Sequence, residues 1–165
     1  MSDTFASKGY GDVYADEPRK NTSRECRKVG EAGIYPAYLC RVHTDNFVYL
    51  AKQSDGHFAG FAKCMQGHDL DTVYTYSATA ESCDKIELYA FGDDIDIYVF
   101  YAAQSPAQNL VFGDILTPST TDGMLMYFAY ADGAEFTDTH KHEAHVVDDA
   151  ITGSTTANKL VRVHI

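Results

Sequence analysis

The sequence predicts an all-β fold, a small barrel or a β-sandwich, carrying an extended N-terminal arm. Three observations predict it. From Gly33 onward, short runs rich in Val, Ile, Tyr and Phe alternate with Gly, Pro, Asp and Asn turn signals at regular spacing. Scarcely any segment spaces its apolar residues with a helical period, and the best helical alternative, residues 137–150, lacks a continuous 3.6-residue stripe. The 12 Tyr and 9 Phe, with no Trp, suit half-buried sheet faces and subunit interfaces, where apolar area and one polar handle are both useful.

A chain of 165 residues is of one-domain length and long enough to bury its own core. Its first 30 residues stand apart, with few aliphatics and a basic cluster at Arg19, Lys20, Arg24, Arg27 and Lys28. Residues 1–30 are read either as a solvated, poorly ordered leader or as an extended arm that orders on a neighbouring subunit or partner, with Phe5, Tyr10, Val13 and Tyr14 as its apolar anchors. Residues 31–165 form the β-domain.

The expected strands follow in order. Residues 34–42 (IYPAYLCRV) contain Pro36, which places the run at an edge or a strand start. Residues 46–52 (NFVYLAK) come after a tight connection at His43-Thr44-Asp45. In residues 56–65 (GHFAGFAKCM), Gly60 marks a bulge or a close backbone approach. Residues 72–76 make a short β-branched and aromatic run, and residues 77–85 a loop or at most one helical turn. Residues 86–91 and 95–103 flank a hairpin-like Gly92-Asp93-Asp94, and 95–103, apolar on both faces, is the expected core strand. Residues 110–116, 124–131, 143–150 and 159–165 complete the set, and the turn-rich stretch 113–123 is read as an exposed contact surface.

Charge and cysteine usage exclude several classes of function. A net charge of −11 argues against direct nucleic-acid binding, which needs clustered Lys and Arg against phosphate. Residues 1–21 are polar and mixed in charge, unlike a signal peptide, and no run approaches the roughly 18–20 apolar residues of a membrane span. Cys26, Cys40, Cys64 and Cys83 lack CxxC spacing, so they read as structural thiols of a protein made in a reducing cytoplasm.

Chemistry is sparse. His140-Lys141-His142-Glu143-Ala144-His145 places two histidines on one face of a strand, the way jelly-roll metal enzymes build an HxH pair. His140 and His142 are its candidate first ligands, with His145, Glu143 or a distant carboxylate as the third; the other reading is a polar loop or strand rim whose histidines sit in solvent. His43-Thr44-Asp45, His57 and His68-Asp69 are isolated, and no GxSxG elbow accompanies them. Asp93-Asp94-x-Asp96 is a weak calcium candidate without the glycine-containing loop of an EF-hand. No phosphate-binding glycine loop is present. The expectation is a protein without catalytic residues, resident metal or cofactor.

The order of short motifs carries a resemblance. Ile34-Tyr35-Pro36 opens the series, followed by Ala59-Gly60-Phe61-Ala62, the Tyr-rich run at 72–76 and the charged strand at 85–90. Ala102-Ala103, Gly113-Asp114-x-Leu116, Asp122-Gly123 and the closing Leu160-Val161-Arg162-Val163 come next. This series resembles the small head-decoration (cement) proteins of tailed bacteriophages and related viruses. The resemblance implies a β-tulip- or jelly-roll-like domain, often trimeric, that binds the major capsid protein lattice and stabilises the virion. It implies synthesis in the host cytoplasm, residence on the capsid surface and no enzymatic activity. Phe5, Tyr10, Tyr14, Arg19, Lys20, Arg24 and Arg27 are the expected capsid or subunit contacts. The alternatives are another structural β-module, such as a fibre, tail or carbohydrate-binding domain, and a metal-dependent jelly-roll enzyme.

Overall fold

The computed structural model describes residues 26–55, 58–65, 67–79, 82–127 and 144–165. Every regular element among them is a strand, which agrees with the all-β expectation. In chain order these are β1 (Arg27–Lys28), β2 (Leu39–Val42), β3 (Val48–Leu50), β4 (Gly60–Ala62), β5 (Lys85–Ile86), β6 (Leu88–Tyr89) and β7 (Asp96–Tyr101). After them come β8 (Leu110–Val111), β9 (Ile115–Pro118), β10 (Leu125–Tyr127), β11 (Ala144–Val146), β12 (Ala150–Ile151) and β13 (Lys159–His164). Five of them close a small barrel in the order β10-β7-β13-β11-β9. A four-stranded sheet, β3-β2-β4-β6, stands beside it, with two-stranded sheets β1-β5 and β12-β8.

The barrel is built on β7 and β13, which pair antiparallel over six rungs from Tyr101–Lys159 to Asp96–His164. Alternation sends Ile97, Val99 and Tyr101 of β7, with Val161 and Val163 of β13, into the core beside Leu116, Leu125, Ala144 and Val146. Full burial of one such aliphatic side chain contributes about 1.5–3 kcal/mol. The run expected as the core strand is thus the barrel's central strand. Closure comes from a single parallel contact, Leu125 of β10 beside Tyr101 of β7.

The four-stranded sheet has its own core of Ile34, Cys40, Val48, Ala62, Tyr74, Ile86 and Leu88, joined by Val29. Tyr74 is held at both ends: its amide donates to Ile34 O at 2.8 Å, and its hydroxyl donates to Lys63 O and accepts from Met65 N. The barrel and the sheet meet at Gly123. Its carbonyl accepts from Leu39 N at 2.7 Å and its amide donates to Ala51 O at 2.8 Å. A φ of +76° and the nearness of Tyr38 and Leu50, 2.7 and 2.8 Å from where a Cβ would stand, admit glycine there. The four cysteines form no disulfide with one another, and burial holds the Cys40 thiol well above the usual thiol range.

Several expected boundaries are corrected. Residues 34–38 form a turn with Ala37 at φ +67°, so strand character begins only at Leu39. Residues 72–76 join no ladder, because the bonds of Tyr74 fasten that run instead. The stretch 86–91 is divided: Ile86 pairs with β1, whereas Leu88–Tyr89 pairs with β4. Gly92-Asp93-Asp94 is a turn but not a hairpin, since β6 and β7 belong to different sheets. The stretches 110–116 and 143–150 each break into two strands at a corner, and part of 124–131 lies outside the described residues. The boundary between arm and domain also moves. Arg27 and Lys28 pair with Ile86 and Lys85, Val29 is fully buried, and Gly30 N donates to Val48 O at 2.8 Å. The β-domain therefore takes in residues 27–30. Stretch 113–123 is not one exposed surface, because Leu116, Pro118, Ser119 and Gly123 are buried.

Gly60, expected at a bulge or a close approach, makes a close approach: a Cβ there would lie 1.9 Å from Tyr89 O, at a φ of +145°. Gly60→Ala is expected to lower stability by at least about 3 kcal/mol or to prevent folding, read by urea denaturation. A midpoint unchanged from the parent would contradict this packing. Alkaline pH supplies a second check. Burial pushes the Tyr101 hydroxyl up to about 12 and raises that of Tyr74 as well. Unfolded tyrosine ionises near 10, so the stability these groups contribute is full below about pH 10 and lost as pH rises through the folded values. Phenolate absorbance of the native chain should show both titrating late; ionisation together with the exposed tyrosines would be the contrary result.

Candidate functional site

Partners across a ladder share a face of the sheet, and this places three polar residues in one row on the outside of the barrel. Asp96 of β7 pairs with His164 of β13, and His164 pairs with His145 of β11. Arg162 and His164, two apart on β13, both reach Asp96. Arg162 Nη2 lies 2.5 Å from Asp96 Oδ2, and His164 Nδ1 lies 3.0 Å from Asp96 Oδ1. His164 Nε2 is 3.3 Å from Asp94 Oδ1, in the turn before β7. Asp148 Oδ2 accepts from Arg162 N at 3.1 Å.

The row ties strands together and is poorly placed for acid–base chemistry. Both ring nitrogens of His164 face carboxylate oxygens, which leaves neither directed at a substrate. The guanidinium of Arg162 balances the charge of Asp96. The acidic triplet does not converge on a cation either. Asp93 Oδ2 accepts from Ala90 N at 2.9 Å, while Asp94 and Asp96 turn to His164 and Arg162. Among the described residues no group of three His, Cys, Asp or Glu is arranged to hold a metal ion.

A second imidazole–carboxylate pair joins His68 to Asp84, not to its sequence neighbour Asp69. His68 Nε2 lies 3.2 Å from Asp84 Oδ2, and the ring stacks on Tyr74 at 4.4 Å between centroids. Asp84 is also held by Thr75 N at 2.6 Å, and His68 Nδ1 is buried. This arrangement resembles half of a triad, but its remaining nitrogen is buried and faces no nucleophile among the described residues. His43 sits on an exposed turn, 3.3 Å from Thr44 Oγ1 and edge-on to Tyr49. Asp45 caps that turn by accepting from Phe47 N and Tyr49 Oη, and these bonds hold its carboxyl below the usual range.

Of the sequence-predicted site residues, His145 lies on β11 in the row described above. Arg27 lies on β1, and its guanidinium donates to Asn46 Oδ1. Phe5, Tyr10, Tyr14, Arg19, Lys20, Arg24, His57, His140, His142 and Glu143 lie outside the described residues. Sequence reasoning missed His164 and Arg162. Their alternation with Val161 and Val163 was a signal of one outward face, but their partner Asp96 lies more than 60 residues away.

Among the described residues, the exposed large apolar side chains are Val73, Tyr76, Val111 and Phe112. Val111 and Phe112 are adjacent, 53% and 70% exposed, at the corner between β8 and β9. That corner is pinned. Asp114 N donates to Val111 O at 3.1 Å, Val111 N to Asp114 Oδ2 at 2.8 Å, and Gly113 N to Val146 O at 2.8 Å. Gly113, at φ +88°, supplies the left-handed residue that the turn requires.

Asp96→Ala is expected to cost about 1–3 kcal/mol in urea denaturation, because it strips a part-buried guanidinium and an imidazole of their acceptor. Asp94, whose side chain is 81% exposed, should cost less than about 0.5 kcal/mol when changed to alanine. Equal effects of the two substitutions would contradict the reading of Asp96 as the hub.

Comparison with protein-family models, with curated proteins and with solved structures finds no match to this chain.

Proposed function

We propose that this chain is a virion structural protein that decorates a capsid and stabilises it by binding the lattice of the major capsid protein. The observation that carries the reading is the anchored root of the N-terminal segment. Strand β1 is locked against β5, Val29 is buried between the β3 and β5 segments, and Glu31 Oε1 accepts from Leu50 N at 2.5 Å. Residues 1–25, with Arg19, Lys20, Arg24 and the aromatic anchors Phe5, Tyr10 and Tyr14, thus continue into a part-buried strand and the fully buried Val29. A segment rooted in this way transmits load between whatever it binds and the β-domain, which a cementing protein needs. The charge distribution supports the same role. A body of strongly negative charge joined to a locally basic segment favours contact between unlike surfaces and disfavours unspecific pairing of like ones. The motif series from Ile34 to Val163 adds the resemblance to head-decoration proteins.

The test is quantitative mass spectrometry of purified virus particles that encode this chain, together with their heat stability with and without it. The expected outcome is the chain present in a fixed ratio to the major capsid protein and particles that lose their contents at lower temperature when it is missing. Its absence from purified particles would overturn the reading. An N-terminally shortened chain beginning at Cys26 should keep the fold and lose most of its particle binding.

A further inference from the structure

We infer that residues 27–31 are a strap that closes the four-stranded sheet into a second small barrel and opens as one unit, separately from the first barrel. The pairings lead there. Glu87 O accepts from Lys63 N at 3.0 Å, which makes β5 and β6 one run along β4 and its continuation. Strand β1 pairs antiparallel with β5, and its continuation bridges to β3, where Val29 stands parallel to Val48. The circuit therefore runs β3-β2-β4, then β6 with β5, then β1, and returns to β3. The packing agrees with it. Val29, Cys40, Val48, Ala62, Ile86 and Leu88 come one from each segment of the circuit and meet in one buried cluster.

The strap fits its slot at three successive positions. Val29 is its one buried residue and fills the core. Gly30 leaves room for the Tyr49 ring, since a Cβ there would stand 2.7 and 2.8 Å from Cε2 and Cε1. Glu31 Oε1 accepts from Leu50 N at 2.5 Å, at the end of β3. Two backbone bonds join these contacts, Val29 N to Asp84 O at 3.0 Å and Gly30 N to Val48 O at 2.8 Å. In its closed position the strap covers the edges of β3 and β5, and on opening it would offer both to an added strand.

The strap is lightly fastened beside the first barrel. Lifting it exposes one core side chain and undoes the two rungs of β1 on β5 with the bridge to Val48. Parting β7 from β13 undoes six rungs and the centre of the barrel core. Openings on the smaller scale occur well below the free energy of global unfolding. The strap is also the root of the N-terminal segment, yet the inference stands whether or not that segment meets a capsid, because it is read in the isolated chain.

Amide hydrogen exchange of the full chain, followed by NMR, tests it. The amides of Val29, Gly30 and Leu50 are expected to exchange at one common opening rate, at least roughly 100-fold faster than the slowest amides of β7 and β13. Gly30→Ala should raise that rate about 10- to 100-fold and leave β7 and β13 unchanged, and adding Tyr49→Ala should recover part of the loss. Glu31→Gln, which keeps the size of the side chain and removes its charge, should raise the same rate several-fold without altering the core. It gives the reading even where Gly30→Ala does not fold. Strap amides as slow as those of β7 and β13 would overturn the inference, as would a substitution in the strap that speeds both groups equally. Strap amides exchanging as fast as unprotected peptide would overturn it too, since the second barrel would then not be closed.

Discussion

The six-rung pairing of β7 with β13 is the constraint on which the other elements depend. Its inward side chains supply the centre of the barrel core, and its two outer edges receive β10 on one side and β11 on the other. The partners are 58 to 68 residues apart in the chain, so their closure carries a large loop entropy that local turns cannot offset. Burial of Ile97, Val99, Tyr101, Val161 and Val163 in one place offsets it. Once that ladder exists, β9 and β10 need only a local hairpin to complete the ring, and the parallel contact at Leu125 and Tyr101 closes it.

The outer face of the same ladder explains the polar row. Residues that alternate with Val161 and Val163 are turned outward by the strand period, and Arg162 and His164 then meet Asp96 because the register sets them beside it. The cluster therefore reports register. A slip of one residue would bring the charged side chains into the core and expel the valines. This is a structural reason for a compact set of Asp, His and Arg that superficially resembles catalytic machinery. The same reasoning applies to His68, whose carboxylate partner Asp84 also receives Thr75 N and so fastens a segment without a ladder of its own.

The distribution of apolar exposure separates what folds the protein from what a partner could use. The aromatic residues that fill the interior, Phe61, Tyr74 and Tyr101, are buried and hydrogen-bonded or packed. Phe112 is not among them, and the turn that carries it is one of the better fastened in the chain. It stands 70% exposed beside Val111, so it adds little to the burial that holds the fold.

Much of the fold class was legible locally. Short β-branched and aromatic runs, Gly-Asp and Asp-Gly turns and the scarcity of helical periodicity determine an all-β chain, and the two-sided apolarity of the Ile95–Ala103 run marks the central strand. Gly60 was legible as a close approach because an isolated glycine in a strand pattern has few other uses. Strand ends were less legible: the stretches 86–91, 110–116 and 143–150 read as single runs because residue type does not record which sheet a strand joins. The candidate site was hardly legible at all. Asp96, Arg162, His164 and His145 come from three separate strands, and the pairing of Asp84 with His68 spans 16 residues without a motif. Sequence by itself thus determines the period, the turns and the charge of each segment, since these depend on neighbours along the chain. Sheet membership, register and the exposure of Phe112 were decided only by tertiary structure, because they depend on which distant strands share a core.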